Sequence, residues 1–317
     1  MARPVAVVTG AAQGIGLEAA RHLAATHDLA LLDLDGDGAR AAAAELPGRA
    51  LGLECDITDP AALEAAASAV RDAYGGADVI VANAGVALTG ALRHLDPAVV
   101  EAQVRVNLTG TWRSIHAFLP MVVERRGYVL GVASVAALMQ APGIGAYAAS
   151  KAGFEALLRT LRQEVAHLGV DVGIAYFHWI DTDMVRGAER EIPEFAELRA
   201  EMRGPAGRTL PVTAAGQAIA RGVAARSSRV LAPRWVGVLD RLRGLVAPLA
   251  DLQGKRLGER VDRMTAEAVR DRGPVGAAVR PGHEPSQAAA QRVAPGADGD
   301  ALVYKDACGL GILQRGT

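Results

Sequence analysis

The sequence predicts an α/β fold, a doubly wound parallel sheet followed by a C-terminal helical extension. Short apolar runs alternate with helical patterns along most of the chain, as they do when crossover helices connect parallel strands. The runs are apolar at successive positions, which is typical of strands buried on both faces. We expect strands at Val5–Val8, Leu29–Asp33, Arg49–Glu54, Val79–Ala82, Tyr128–Ala133, Val170–Tyr176 and Val230–Ala232, and the clearest later helices at Pro60–Tyr74 and Pro97–Leu119.

A glycine-rich turn, Thr9 to Gly16, follows the first strand, and apolar residues then recur at helical spacing. Glycine lets the backbone turn tightly and lets a pyrophosphate approach it, and a helix N-terminus supplies free N–H groups and partial positive charge. Strand, glycine turn and helix in this order predict a Rossmann-like dinucleotide site. An ordinary glycine-rich loop is the alternative. The contacts that we expect from this turn are Gly10, Gln13, Gly14, Ile15 and Gly16.

Asp33 ends the second predicted strand, about 20 residues after the glycine turn, where a carboxylate can hold the adenosine ribose hydroxyls. The same carboxylate would repel a 2′-phosphate, and the turn carries Gln13 where an Arg or Lys could have stood. Both observations predict NAD as the cofactor in preference to NADP. A capping or turn role for Asp33 ahead of Asp35 to Gly38 is the alternative.

Tyr147 and Lys151 are four residues apart, so on a helix they share one face. A free tyrosine has a pKa of about 10, and a nearby fixed cation is expected to lower it towards neutrality. The chain has three lysines against thirty-one arginines, yet it uses lysine here, and an arginine could not release a proton. With Ser134 thirteen residues upstream to hold a substrate oxygen, the pattern predicts a proton-transfer site. A surface pair on a solvated helix face is the alternative.

Taken together, these motifs resemble the short-chain dehydrogenase/reductase family over about residues 3–235. The resemblance implies a catalytic Ser134, Tyr147 and Lys151, and an Asn107 that holds a water beside the lysine. It also implies that Lys151 holds the ribose of the nicotinamide half. The remaining cofactor contacts that it implies are Asp56 and Ile57 at the adenine, the turn Asn83, Ala84 and Gly85, Tyr147, and Ile180 and Thr182 at the nicotinamide.

One segment departs from the family pattern, because Phe177-His178 stands where Pro-Gly usually follows the sixth strand. The change removes a rigid turn and is expected to bring two large side chains near the nicotinamide. His178 is either a second acid–base group or a packed side chain. The residues that we expect near the substrate are mainly apolar: Val135, Ala136, Met139, Ile144, Phe177, Trp179 and Met184.

Composition limits the other possibilities. The chain has 317 residues, 50% of them hydrophobic, with a formal charge of −1, which predicts a sizeable core and argues against nucleic acid as a partner. Cys55 and Cys308 cannot form a disulfide framework, and no Cys or His spacing predicts a metal site. Neither a signal peptide nor a membrane span is evident, so a cytoplasmic protein is expected.

We expect a dinucleotide-binding and catalytic domain at 1–235, with a helical lid at about 186–211. An amphipathic helical extension at 236–272 and a disordered tail at 273–317 complete the predicted organisation. The apolar stripe of the extension contains Trp235, Val238, Leu239 and Leu242. It could pack on a partner subunit, cover the cleft, or lie on a membrane surface.

The sequence therefore predicts an NAD-dependent oxidoreductase that interconverts a lipophilic secondary alcohol and its ketone. An NADPH-dependent ketoacyl-type reductase and a non-catalytic NAD-binding module are the alternatives. The family resemblance also implies a homodimer or homotetramer, formed through the helices that carry Asn107 and Tyr147.

Overall fold

A parallel sheet forms the centre of the molecule in the computed structural model, which describes residues 3–87, 89–191, 193–202 and 204–272. Its seven strands within these ranges lie in the order β3-β2-β1-β4-β5-β6-β7, and every neighbouring pair is parallel. The predicted doubly wound sheet is confirmed. The strands are β1 (Val5–Thr9), β2 (Asp28–Asp33), β3 (Ala50–Glu54), β4 (Val79–Ala82), β5 (Tyr128–Val132), β6 (Asp171–Phe177) and β7 (Arg229–Ala232).

Helices cover both faces of the sheet and create two separate apolar cores. The helices are α1 (Gly14–Leu23), α2 (Gly36–Glu45), α3 (Pro60–Tyr74), α4 (Pro97–Val104), α5 (Thr111–Glu124), α6 (Gly145–Val165), α7 (Asp183–Glu191), α8 (Pro193–Ala200), α9 (Val212–Ala224) and α10 (Val236–Arg272). Helices α1 and α9 pack on one face, and α3, α5 and α6 pack on the other. Every strand except β3 and the edge strand β7 is largely buried, so the loops that follow the carboxyl ends of the inner strands are anchored on the two cores.

Local sequence signals explain where α3 begins and ends. The Asp59 side chain accepts a hydrogen bond from the backbone N–H of Ala61, and Pro60 occupies the first turn, where its missing N–H costs nothing. The helix ends at Gly75, which adopts a φ of 72° that few other residues tolerate. The predicted bounds of this helix are confirmed.

The sequence predicted a single helix at Pro97–Leu119, and this prediction is wrong because the helix is interrupted. A wide π-helical turn at Arg105–Gly110 separates α4 from α5. The hydroxyl of Thr111 donates to the Asn107 carbonyl at 2.6 Å, and the hydroxyl of Ser114 donates to the Gly110 carbonyl at 2.9 Å. These bonds satisfy carbonyls in and beside the turn, and such turns are frequent at functional sites. A π-helical turn contains one residue more than an α-helical turn, and a hydrophobic pattern at helical spacing does not reveal this extra residue.

The chain beyond β6 is largely helical in its described part. Helices α7 and α8 and a short 3₁₀ turn at Gly204–Gly207 occupy the segment expected to be a lid, and its lid role stays a prediction. Helix α10 starts just after β7, and the predicted disorder of 273–317 lies outside the described residues. None of the described helices has a stretch long and apolar enough to cross a membrane.

Candidate active site

The glycine turn between β1 and α1 is fastened to the segment that follows β4. The Asn83 side-chain amide donates to the carbonyls of Thr9 and Gly10 at 3.0 and 3.2 Å. The hydroxyl of Thr9 accepts the backbone N–H groups of Asn83 and Ala84 at 3.0 and 3.1 Å. These four bonds fix the turn Asn83-Ala84-Gly85 against the glycine turn.

Glycine is required in this turn because of its backbone conformation and close contacts. Gly10 and Gly14 have φ values of 65° and 59°, which favour glycine over other residues. A side chain at Gly16 would lie 2.1 Å from the Gly10 carbonyl oxygen. At Gly14, in contrast, a Cβ would meet only the methyl group of Thr182 within 4 Å, at 3.9 Å. The turn thus leaves a cradle beside Gly14, with Thr182 across from it.

Asp33 lies beneath the glycine turn and is only 2% exposed. Its carboxylate accepts the backbone N–H of Ala12 at 2.9 Å and that of Asp35 at 3.0 Å. The predicted turn role is therefore present, and the negative charge still lies at the end of β2 against the glycine turn. Arg40 pairs with exposed Asp37 at 2.7 Å, as expected of a surface charge.

The pair Asp56 and Ile57 follows the end of β3. The Asp56 carboxylate accepts both the backbone N–H and the hydroxyl of Thr58 at 2.8 Å, which fixes the turn. Ile57 is 6% exposed and packs against Gly110 in the π-helical turn. The pair thus connects the predicted adenine side with the segment that carries Asn107.

The Asn107 side chain is fully buried and makes three hydrogen bonds. Its carbonyl oxygen accepts the backbone N–H of Val86 at 2.8 Å, and its amide donates to the Val86 carbonyl at 2.7 Å and to the Ser150 hydroxyl at 3.2 Å. A side chain at Gly85 would lie 2.9 Å from the side-chain Oδ1 of Asn107 and 3.4 Å from the Lys151 ammonium. Glycine at position 85 therefore lets these two side chains lie close together.

Lys151 projects from α6 into the interior, where it is 4% exposed. Its ammonium donates to the carbonyl of Val132 at the end of β5, at 2.9 Å. Burial lowers the pKa of Lys151 from 10.5 to about 8, because a charged amine loses hydration there. A lysine with this pKa has a larger neutral fraction near neutral pH than an exposed lysine, so it can both give up and take up a proton there.

Tyr147 lies beside Lys151 on the same face of α6, and the ammonium is 5.9 Å from the centre of the phenol ring. Burial raises the pKa of Tyr147 above 10, while a hydrogen bond with Ser134 acts in the opposite direction. The expected lowering by Lys151 is not the net result, because desolvation of the phenolate is the largest effect. At neutral pH this phenol carries its proton.

Ile180 and Thr182 lie on the chain that leaves β6. The backbone here is held by Leu210, which donates to the Trp179 carbonyl and accepts the Asp181 N–H, both at 2.9 Å. Ile180 is 3% exposed, and Thr182 faces the glycine turn as described above. Thr182 therefore occupies the side of the cradle opposite Gly14, and Ile180 is buried in the core that contains residues of α1 and α9.

The absence of Pro-Gly led us to expect the Phe177 and His178 side chains near the nicotinamide, but both side chains pack against other parts of the protein. Phe177 is 4% exposed and packs in the core beneath α1 and α9, so it does not line an open pocket. The Nε2 atom of His178 lies 2.7 Å from the Ala206 carbonyl, and the ring packs edge-on against Trp235 at 5.3 Å. Burial lowers the pKa of His178. Of the two readings, the geometry favours a packed neutral histidine.

Three further residues that the sequence interpretation did not assign help to build the site. The hydroxyls of Thr9 and Ser150 and the backbone of Val86 hold Asn83 and Asn107 in place. A polar residue ending an otherwise apolar strand was a usable signal for Thr9. Val86 gave no signal, because it acts through its backbone.

The donor set fits a nicotinamide dinucleotide. Free N–H groups at the start of α1, an uncrowded Gly14 and a buried carboxylate at the end of β2 suit a pyrophosphate and a ribose diol. Tyr147, Ser134 and Lys151 lie beyond the carboxyl ends of β4 and β5, where parallel sheets bind ligands. Among the described residues, no cluster of His, Cys, Asp or Glu could hold a metal ion.

Comparison with known proteins gives the same picture. The family described as short chain dehydrogenase matches residues 4–192. A Mycobacterium tuberculosis protein described as an uncharacterized NAD-dependent oxidoreductase is 35% identical over 212 residues, 61% of this chain and 77% of that protein. The 3-oxoacyl-[acyl-carrier-protein] reductase FabG of Escherichia coli is 32% identical over 184 residues, 57% of this chain and 75% of the reductase.

Solved structures of other proteins have the same fold as this chain. A short chain dehydrogenase/reductase from Burkholderia phymatum, crystallised in complex with NAD, superposes with a TM-score of 0.67 at 25% identity. The match covers 77% of this chain and 93% of that one. A short-chain type dehydrogenase/reductase from Mycobacterium marinum gives 0.64 at 23% identity, covering 73% and 94% of the two chains, which supports the fold alone.

Proposed function

The chain belongs to the short-chain dehydrogenase/reductase family, and on that premise we propose that it reduces a lipophilic ketone with NADH and catalyses the reverse oxidation at alkaline pH. One observation carries the proposal: Tyr147 lies next to the Ser134 hydroxyl and beside a buried Lys151. A phenol held in this way serves to transfer a proton, and it has no evident use in a module that only binds NAD.

The protonation state of the phenol favours ketone reduction at neutral pH. Since burial raises the pKa of Tyr147, the group is a proton donor at neutral pH, as ketone reduction requires. When bound, the nicotinamide supplies or accepts the hydride. Ser134 orients the substrate oxygen towards the phenol. Lys151, with a pKa of about 8, is suited to return a proton to Tyr147 after each turnover.

Asn107 is proposed as a positioning residue in this mechanism. Its hydrogen bonds to Val86 and Ser150 fix the backbone beside Gly85, and this keeps the space next to the Lys151 ammonium in one shape. A proton path from Lys151 towards solvent would start from this space.

NAD is the proposed cofactor because of Asp33. Its buried carboxylate lies against the glycine turn, where it would attract ribose hydroxyls and repel a 2′-phosphate. The relative described as NAD-dependent supports this choice.

A ketoacyl-type reductase that uses NADPH is the second candidate. The 32% identity to 3-oxoacyl-[acyl-carrier-protein] reductases favours it as a substrate class. The nearby cation that NADPH would need is not offered by Arg40, whose described contact is with Asp37. A homodimer or homotetramer is a further proposal from the family likeness, and a cytoplasmic location stays a proposal from the sequence.

A screen of hydrophobic ketones, secondary alcohols and 3-oxoacyl thioesters, each with NADH and with NADPH, tests the proposal. We expect NADH oxidation with at least one lipophilic ketone and a preference for NADH over NADPH. Turnover of 3-oxoacyl thioesters with NADPH alone would favour the second candidate. Cofactor binding without turnover on the whole panel would contradict both and favour a binding module.

A further inference from the structure

Helix α10 crosses the substrate side of the molecule with its second half. Segments 83–95, 133–144 and 178–210 follow the carboxyl ends of β4, β5 and β6, the edge at which Ser134 and Tyr147 lie. Residues of α10 between Arg260 and Ala268 contact all three segments. The family match ends at residue 192, before this helix begins.

Hydrogen bonds and ion pairs hold α10 on the segment after β4. The Ala91 backbone N–H donates to the hydroxyl of Thr265 at 2.9 Å. The Arg93 guanidinium donates to both carboxylate oxygens of Asp262, at 2.5 and 2.7 Å, and His94 lies 3.1 Å from the same carboxylate. Two-pronged pairing of this kind fixes orientation as well as distance.

The helix also approaches the other two segments. On the segment after β5, a side chain at Gly143 would lie 3.0 Å from a methyl group of Val261. On the segment after β4, one at Gly90 would likewise lie 3.2 Å from the methyl group of Thr265. Both glycines have positive φ, 86° and 149°, so the backbone turns here in a way that lets α10 come close. On the segment after β6, Glu201 accepts a hydrogen bond from Arg260 at 2.6 Å.

One face of α10 therefore points at the substrate side. Val261, Met264 and Thr265 are spaced i, i+3 and i+4 and are at most 7% exposed. A cavity of about 10 Å³, room for a single water, remains between them and the chain at Thr89, Gly90, Pro142 and Gly143. Leu92, in the same segment, meets Gly145, two residues before Tyr147.

The start of α10 is fixed independently. Asp240, whose side chain is 1% exposed, forms ion pairs with Arg159 of α6 at 3.3 Å and Arg229 of β7 at 2.7 Å. Arg243 pairs with buried Glu155 of α6 at 2.9 Å. The helix is thus tied at its start to the helix that carries Tyr147 and, in its second half, to the segments around the active site.

We propose that Val261, Met264 and Thr265 back the loops at 89–95 and 142–145, that these loops form the far wall of the substrate pocket, and that the backing selects substrates by length, an inference that rests on the proposed reduction of a lipophilic ketone. The backing is apolar except for the Thr265 hydroxyl, which the Ala91 N–H and the Val261 carbonyl already engage. Because the space between α10 and the loops has room for a single water only, the loops cannot recede towards the helix, and an alkyl or ring terminus longer than the pocket is stopped.

The test compares Val261→Ala and Met264→Ala with the wild type on methyl ketones of about four to twelve carbons, since each added methylene contributes a similar burial energy. We expect kcat/KM for the longest ketones, divided by that for the shortest, to rise on the order of tenfold in each variant. Leu242→Ala, on an exposed part of the same helix, is the matched control and should leave this ratio unchanged.

Asp262→Asn gives a second variant if truncation in the wall prevents folding, because Asp262 is partly exposed and acts through its ion pairs. It loosens the wall and should shift the ratio in the same direction. An unchanged ratio in every folded variant would overturn the proposal.

Binding separates this proposal from the proposed function. If the wild type turns over no ketone, the oxidoreductase proposal fails, and the same ketones are titrated calorimetrically against protein saturated with NADH. A shift of the binding preference towards longer ketones in the wall variants still supports the wall. Identical preferences in wild type, wall variants and Leu242→Ala would contradict it.

Discussion

The ammonium of Lys151 lies 5.9 Å from the centre of the Tyr147 ring and donates its hydrogen bond to the Val132 carbonyl. The two side chains share a face of α6, but burial dominates both. It raises the pKa of the phenol and lowers that of the amine to about 8. The pair therefore consists of a protonated acid and a neighbour able to exchange protons near neutral pH.

Replacing Tyr147 with Phe should abolish ketone reduction while the cofactor still binds. The ring is kept and only the hydroxyl is lost, so a fall in kcat on the order of 10²–10⁴-fold is expected, the usual range for an acid–base group. Steady-state assays with NADH and fluorescence titration of NADH measure the two quantities. Near-normal turnover in this variant would remove Tyr147 from the mechanism.

Replacing Lys151 with Met should change the pH dependence of folding stability. The folded-state pKa of about 8 is below the ordinary 10.5, so the buried ammonium opposes folding below pH 8 and this cost disappears as pH rises to 10.5. The difference corresponds to about 3 kcal/mol, less what is lost with the hydrogen bond to Val132. The stability advantage of Lys151→Met over wild type should thus be largest at neutral pH.

Urea unfolding of both proteins at pH 7 and at about pH 10.5 measures this difference. Groups that do not contact Lys151 titrate equally in the two proteins and cancel. A stability difference that stays constant over this range would mean that the ammonium of Lys151 is hydrated in the folded protein.

The sequence predicted the strands, the crossover helices and the loops of the site, because apolar periodicity and glycine turns are local signals. It could not predict the π-helical turn at Asn107, since one extra residue leaves no mark in an apolar pattern. The raised pKa of Tyr147 depends on burial from many segments. The contact between Arg93 and Asp262 joins residues 169 positions apart, and no local pattern pairs them.

Asp33→Asn should weaken the preference for NADH over NADPH. The amide keeps an oxygen that can accept the Ala12 N–H, so the contact with the glycine turn is preserved while the charge and the hydrogen bond from the Asp35 N–H are removed. Losing a charged hydrogen bond of about 1.5–3 kcal/mol to the ribose should raise the Kd for NADH roughly tenfold to a hundredfold. NADPH should bind better than in the wild type, because the repulsion of its 2′-phosphate is gone.

Isothermal titration of both dinucleotides measures the change, and Asp37→Asn is the matched control because it removes an exposed carboxylate from the same region. The control should leave both affinities as they are. Equal losses for NADH and NADPH in Asp33→Asn would indicate that Asp33 only supports the glycine turn.

Replacing His178 with Phe tests whether this side chain takes part in proton transfer. Burial lowers the pKa of His178, so the ring is neutral at pH 7, and its Nε2 faces the Ala206 carbonyl, to which it can only donate. Phe keeps the edge-on packing against Trp235 and loses that one hydrogen bond, at a cost of about 1 kcal/mol. We therefore expect a small drop in melting temperature and a kcat within about threefold of wild type.

The pH–rate profile of ketone reduction between pH 5 and 9 is the decisive measurement, with Tyr147→Phe as the reference for the loss of an acid–base group. A profile that loses an inflection near neutrality, together with a large fall in kcat, would make His178 a second proton donor after all.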